Sequence, residues 1–352
     1  MPYQRFVPVV DVNQKTLMPT KWSRAINWIR MRKATPFYKR GILCVRLNVE
    51  PSARIINPVC VGIDTGSRKE AYTVKSESHT YLNVQSDAVN AKAIRKNLEA
   101  RSDMRRGRRN RKAPCRQPRY NRSRGGIPPS TQARWQMKMR ILNWLAKIYP
   151  ISYVNIEDIR VKTMPGDRCW NASFSPLEVG KRWFYELLDN RWIMTITPHT
   201  ETPDLRNFLG LEKMKELKDK LSDKFEAHCV DSWALANATV GGHIKPDNKS
   251  IFYITPLLFN RRQLHDRQPV INGVRNRCGT TRCGGWKYGS LVRHVKRGLM
   301  YVNGFSDKYL SLMPLNPQKK DARYRSARPE DCKFLTHISW RWRYASVDEQ
   351  VA

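Results

Sequence analysis

Between Lys92 and Arg124 the chain carries fourteen Lys and Arg side chains against only Glu99 and Asp103. No other stretch restricts the fold so tightly. Up to Ala113 nothing except Gly107 discourages a helix, and Pro114 and Pro118 then end it. A helix over residues 91–113 is expected, about 35 Å long at ~1.5 Å rise per residue. Arg101, Arg105, Arg108 or Arg109, and Lys112 line one face at i, i+4 spacing, while Arg106 and Arg111 project elsewhere. A helix docked on a protein core needs an apolar stripe, and this one has scarcely any past Leu98. In water alone, like-charge repulsion at i, i+4 would melt it. A disordered basic tail is the bland alternative, but the run is internal, with folded patterns on both sides. It is expected to lie between phosphate backbones, with Arg116 and Arg119 extending the basic surface.

The whole chain points the same way. Its 65 Lys and Arg against 30 Asp and Glu give a formal net charge of +35 at pH 7. Self-repulsion at that charge opposes a compact state unless a polyanion offsets it. With 40% hydrophobic residues and 11 Trp, the chain is not disordered throughout. No stretch approaches the roughly 18 apolar residues of a spanning helix, so no membrane role is expected. The 352 residues are enough for one large core or two to three small ones. The eight cysteines are scattered, and the opening MPYQRFVPVV is interrupted by Pro8 rather than forming a signal segment. Free thiols in a reducing cytoplasm are expected. Cys278 and Cys283 lack a second tight Cys or His pair and are read as plain thiols rather than zinc ligands.

The remaining segments read as an α/β protein. To about Asn57 the order is strand (FVPVVDV), turn (VNQK), helix and strand (GILCVRLNV), with TLMP leading to Ser23 as N-cap of SRAINWIRMRKA. Arg24, Arg30, Arg32 and Lys33 beside Trp22 and Trp28 form either an RNA-contacting surface or a solvated face over core tryptophans. VCVGIDTGS is a buried-strand pattern followed by a β-prone AYTV, a hairpin. TQARWQMKMRILNWLAKIY has a helical apolar stripe through Trp135, Met139, Leu142, Leu145 or Ala146, and Tyr149, and ISYVNIEDI is a strand ending on carboxylates. Helices are expected near PLEVGKRWFYELLDN and LEKMKELKDKL, and over KFEAHCVDSWALANATVGG up to a glycine cap. From about Phe252 short β-like stretches alternate with Gly and Asn turns. Near the end FLTHISWRWRYA alternates strictly, with Ile338, Trp340, Trp342 and Tyr344 on one side and Arg341 and Arg343 on the other.

Three elements present acids that can converge: Asp64 at the end of VCVGID, Glu157 at the end of YVNIE, and Asp231 on a helix. His228 precedes Asp231 by three and shares its helical face. Phosphodiester hydrolysis needs charge neutralised, a water deprotonated and the leaving oxygen stabilised, which two Mg²⁺ ions about 3.5–4 Å apart accomplish. Hard ions take carboxylate oxygens rather than thiols. Clustered carboxylates are costly without such ions, because like charges oppose joint ionisation. Each residue also has an ordinary alternative. Asp64 fits a turn or cap, and GIDTGS resembles the first phosphate loop of actin-like ATPases, whose other nucleotide segments are missing. Glu157 has Asp158 beside it as a competitor, and a single His228 is commonly a satisfied buried histidine.

The ordered set resembles the IscB-related, transposon-encoded RNA-guided nucleases, specifically the IsrB group, over nearly the whole chain. TLMP at Thr16–Pro19 is similar to the family's PLMP signature, with Thr16 in place of the leading proline. VGIDTGS resembles the first RuvC motif, 92–124 the bridge helix, YVNIED the second RuvC motif and AHCVDSWALA the third. The β-rich C-terminal region, with Arg261 and Arg262 in NRRQLH, is similar to the part that contacts the target-adjacent motif.

The resemblance implies a ribonuclease H-like (RuvC) core interrupted by the bridge helix, a small N-terminal α+β domain and a β-rich C-terminal domain. The implied boundaries are 1–57, 58–90, 91–125, 126–250 and 251–352. It further implies a catalytic set of Asp64, Glu157, His228 and Asp231, two Mg²⁺ ions (Mn²⁺ as substitute) on the three acids, and His228 as base or water-positioning group. IscB proper carries an HNH domain between the second and third motifs. Here only 71 positions separate Glu157 from His228, with Cys169 the sole cysteine between them. The implied activity is a monomeric, cytoplasmic ribonucleoprotein that uses a structured guide RNA to nick the displaced strand of double-stranded DNA. Two other classes compete: a non-catalytic RNA-binding factor with structural acids, and an RNA-independent junction resolvase.

Overall fold

The computed structural model describes residues 4–51, 53–66, 68–89, 91–112, 127, 129–160, 176–214, 222, 224–257, 282–283, 285–306, 308–316 and 323–344. The chain divides into two compact units, one up to Ile251 and one over Phe252–Ala345.

The first unit opens with β1 (Phe6–Val10), β2 (Thr16–Lys21), α1 (Trp22–Arg30), β3 (Ala34–Lys39) and β4 (Ile42–Leu47). Their sheet order is β2-β1-β4-β3, with β1 parallel to β4. Val7, Val9, Leu43 and Val45 form its core with Ala25 of α1, and Trp22, Trp28 and Ile29 pack against them. Two expectations need correction. TLMP belongs to a strand, and Ser23 lies inside α1, where the preceding Lys21 makes no side-chain cap. The strand β3 was not foreseen; it carries Pro36 at the sheet edge, where the missing N–H costs little. Arg40 and Gly41, at φ of 51° and 93°, close the β3–β4 hairpin with the left-handed turn that matches strand twist.

Then follow β5 (Val59–Asp64), β6 (Lys69–Ser76), β7 (Thr80–Asp87), α2 (Ala91–Asn110), α3 (Pro129–Leu145), β8 (Tyr153–Asp158), α4 (Pro176–Asp189), β9 (Ile193–Pro198), α5 (Thr202–Phe208) and α6 (Phe225–Val240). The sheet order is β7-β6-β5-β8-β9. The first three strands are an antiparallel meander, while β8 runs parallel to β5 and β9 parallel to β8. Numbered from β5, this is the 3-2-1-4-5 order of the ribonuclease H-like core, and the chain is α/β as expected. The basic helix α2 is inserted between the third and fourth of these strands.

Strand alternation gives the sheet two different faces. Gly62 and Asn155, register partners in β5 and β8, both meet α6. Glu70 of β6 and Asp158 of β8 are on the other face, bonded to α3 and α4. The stripe foreseen on α3 is buried through Trp135, Met139, Leu142 and Leu145. Helix α6 is buried along most of its length and ends at Gly241 with φ of 67°, as the glycine cap requires. Of the charged helix expected near LEKMKELKDKL, residues 211–214 are not helical, and 215–221 lie outside the described residues. The former follow a left-handed Gly210, which comes after α5.

The second unit contains β10 (Ile251–Pro256, starting at the boundary), β11 (Arg282–Cys283), β12 (Trp286–Lys287), β13 (Ser290–His294), β14 (Gly298–Ser306), β15 (Tyr309–Pro314), β16 (Tyr324–Ala327), β17 (Cys332–His337) and β18 (Trp340–Tyr344). Five strands form an antiparallel sheet in the order β16-β15-β14-β13-β17, and β18 pairs with β10. The alternating run FLTHISWRWRYA is therefore not one strand. Ile338 donates its N–H to Gly289 O and Ser339 accepts from Leu257, so the chain changes partners there. Arg261, Arg262 and Cys278 lie outside the described residues. No helix among the described residues is long and apolar enough to cross a membrane.

Candidate active site

The site begins with a glycine. A Cβ on Gly62 would stand 1.9 Å from Ser232 O and 2.7 Å from Ala236 N, so only glycine lets α6 lie this close on β5. Side chains then fix the helix. Thr73 and Ser232 hydroxyls meet at 2.9 Å, Asn155 Nδ2 donates to Leu235 O at 2.9 Å and to Thr239 Oγ1 at 3.0 Å, and Thr197 Oγ1 donates to Asn155 Oδ1 at 2.8 Å. Asp231 precedes Ser232, and Asp64 lies two residues beyond Gly62 on the same strand face.

Parallel register does the rest. Gly62 pairs with Asn155 and Ile63 with Ile156, so Asp64 and Glu157 end adjacent strands at the same level. Thr65 Oγ1 ties the two ends by donating to Glu157 O at 3.0 Å. Gly66 makes the turn possible, since a Cβ there would stand 1.8 Å from Lys69 O. Asp64, Glu157 and Asp231 are thus brought within electrostatic reach of one another. Burial, and after it the charge of Glu157, pushes the Asp64 carboxyl well above the usual carboxylate range; Lys213 opposes this and Asp231 adds to it. His228 stands one turn before Asp231 on α6 and is buried with it.

Two cations meet these acids. Arg206 Nη1 of α5 donates to Asp231 Oδ1 at 2.5 Å, and Lys213 Nζ pairs with Asp231 Oδ2. Burial works against the Lys213 ammonium, but Asp64 and Asp231 hold it above the usual lysine range, with Glu157 contributing. Among the described residues no three His, Cys, Asp or Glu side chains are arranged to hold an ion. The donor chemistry nevertheless fits hard divalent ions: three carboxylates, one with its ionised form disfavoured by its neighbours, and cationic groups already drawn to them. Gly62, Arg206 and Lys213 were missed in the sequence. The glycine two places before Asp64 was a usable signal; Lys213 was hidden in an apparent helix.

Asp158 does not share this site. Lys181 Nζ lies 2.7 Å from its Oδ1, Tyr185 OH donates to the same oxygen at 3.1 Å, and Arg160 is 3.6 Å from Oδ2. Burial works against the charge, yet the Lys181 bond and charge keep the Asp158 carboxyl below its ordinary value. The competition between neighbouring acids is thus resolved by strand alternation.

Among the candidate nucleic-acid contacts, Arg105, Arg106, Arg109, Arg111 and Lys112 are exposed along and just past α2, and Arg108 is half-buried. Helix α2 stops at Asn110, short of the expected 113, and Lys112 takes a left-handed φ of 48°. Arg101 lies on α2, with its side chain outside the described set, as are Arg116 and Arg119 entirely. Arg24 is exposed and places its guanidinium 5.0 Å from the Trp28 ring centroid. The N-terminal tryptophans therefore serve the core while Arg24, Arg30, Arg32 and Lys33 face solvent.

A family profile described as "RRXRR protein" matches residues 7–167, a span that includes Asp64 and Glu157 and stops before α6. No curated protein matches the chain. Among solved structures, T. thermophilus RuvC in complex with a Holliday junction substrate aligns with 11% identity over 53% of this chain and 97% of that chain, at a TM-score of 0.28. The yeast mitochondrial Holliday junction resolvase Ydc2 aligns with 13% identity over 53% of this chain and 80% of that chain, also at 0.28. The fold assignment rests on the strand order itself: the chain has an α/β, ribonuclease H-like core.

Proposed function

We propose that the chain is an RNA-guided DNA nickase with a single RuvC-type hydrolytic site. One observation carries the reading: Asp64, Glu157 and Asp231, far apart in sequence, reach one face of a ribonuclease H-like sheet in a protein of +35 net charge. Acids are scarce in such a chain, and crowding three of them is unfavourable unless a cation is to be held there.

Asp64, Glu157 and Asp231 are the residues that would hold two divalent ions. When bound, such ions neutralise the phosphate, activate a water and stabilise the leaving oxygen. The chain's own groups do the remainder. His228, on the Asp231 face, takes a proton from the attacking water or orients it. The exposed arginines of α2 grip phosphates of a structured guide RNA and its heteroduplex, so that base pairing selects the target. The exposed basic face of α1 extends that grip. One site cuts one strand at a time, and the displaced strand is the one available in single-stranded form.

The test is to express the full chain in its natural genomic context, sequence the RNA that copurifies, and assay the reconstituted particle. The reading expects Mg²⁺-dependent nicking of plasmid matching the RNA guide, with about a thousandfold loss for Asp231→Ala, ~4 kcal/mol. Cleavage of four-way junctions by RNA-free protein would favour the resolvase alternative. RNA binding without any acid-dependent cleavage would favour the assembly-factor alternative.

A further inference from the structure

Asp231 has both carboxylate oxygens occupied by cations, and the two cations are held very differently. Arg206 comes from a helix, α5, and its side chain is 12% exposed. Lys213 comes from a non-helical strap and its side chain is 30% exposed. The strap is fixed at both ends. Leu211 N–H bonds to Arg206 O across the left-handed Gly210, and Met214 N–H bonds to Glu226 O at the start of α6 at 3.0 Å. Its backbone is therefore placed, and what it delivers is one long flexible side chain. Lys213 is also the cation that interacts with all three acids, Asp64, Glu157 and Asp231.

We infer that Lys213 is a built-in counter-ion of the acid cluster, standing where a divalent ion belongs and yielding that place when the ion loads. This rests on the hydrolytic reading and adds a positioning residue to it. Before loading, the ammonium offsets repulsion among the carboxylates and keeps Asp231 turned toward the other two. After loading, a lysine can swing outward on its four-carbon stem while Arg206 remains on Oδ1. Any ligand that needs Asp231 Oδ2 competes directly with Lys213, so the lysine weakens ion affinity and makes loading an exchange of cations.

The experiment is a Mn²⁺ titration of the full-length protein, followed by electron paramagnetic resonance, with Asp64→Asn as the control that defines site-specific binding. The variants are Lys213→Met, which keeps the stem and removes the charge, and Lys213→Arg, which keeps the charge. Lys213→Met is expected to bind the Asp64-dependent Mn²⁺ about tenfold tighter, whereas Lys213→Arg stays near wild type. In the metal-free state Lys213→Met is expected to melt at a lower temperature, and saturating Mn²⁺ to close that gap. Equal or weaker Mn²⁺ affinity in Lys213→Met overturns the counter-ion role while leaving the metal site standing. Absence of any Asp64-dependent Mn²⁺ signal in wild type overturns the metal reading itself, and this inference with it.

Discussion

The two faces of the core sheet handle buried charge in opposite ways. On the face of α3 and α4, Glu70 and Asp158 each have a lysine and a tyrosine of their own, and Lys181 also meets Glu178. Glu70 pairs with Lys138 and accepts from Tyr72 OH at 2.8 Å, while Asp158 pairs with Lys181 and accepts from Tyr185 OH. On the face of α6, three acids share Lys213, and Arg206 bonds to Asp231. The first arrangement is balanced and closed. Among the described residues the second sets two cations against three acids. Balanced buried pairs serve the fold, and removing one partner exposes the cost of burying the other. A crowded acid set with a deficit of cations stores an affinity for further positive charge.

Breaking the balanced face should give the largest stability effect. Lys138→Met leaves Glu70 buried without its cation and is expected to cost about 3–5 kcal/mol, measured by urea unfolding. Adding Glu70→Gln, which can still accept from Tyr72, should recover most of that loss. Gly62→Ala attacks the link between β5 and α6. Its Cβ would collide with backbone rather than a movable side chain, so a cost of about 1–3 kcal/mol is expected, together with a loss of Asp64-dependent Mn²⁺ binding.

Asp158→Asn should be milder, about 1–2 kcal/mol at pH 7, because Lys181 keeps Glu178 at 2.8 Å. Its pH signature follows from the sign of the shift. The folded carboxyl titrates below its unfolded value of about 3.9, so its stabilisation is complete above that value and is lost as pH falls through the folded one. The variant should lack that part of the acid-side decline. The smallest effect runs in the other direction. Asp64→Asn removes one of three crowded charges and should stabilise the metal-free protein by roughly 0.5–1 kcal/mol, a rise of about 1–2 °C in Tm in chelator.

The acid-bearing elements were legible because each carries a strong local pattern. VCVGID and YVNIED are apolar strand runs ending on carboxylates, and AHCVDSWALA is a buried helix closed by glycine. Register then follows from a fold in which β5 and β8 are neighbours. What sequence could not supply was pairing that depends on position rather than composition. Asp158 looks as acidic as Glu157 and is separated from it only by the pleat. Lys213 sits in a run with helical composition, yet a left-handed Gly210 follows α5 and residues 211–214 are not helical. In the N-terminal sheet the edge strand β3 was passed over; its Pro36 is tolerated there because an edge needs no N–H on its outer side. The second unit showed its β character but not the break at Ile338, because alternation says nothing about which strand a segment pairs with.

The central claim is that hydrolysis belongs to the α6 face and not to its mirror. It is tested most directly by nicking of guide-matched supercoiled plasmid by three particles, at a temperature where all are folded: wild type, Asp64→Ala, and Glu70→Gln with Lys138→Met. Asp64→Ala is expected to lose cleavage by about a thousandfold, and the double variant to stay within a few-fold of wild type. Undiminished nicking by Asp64→Ala, or equal loss in both variants, would contradict that claim.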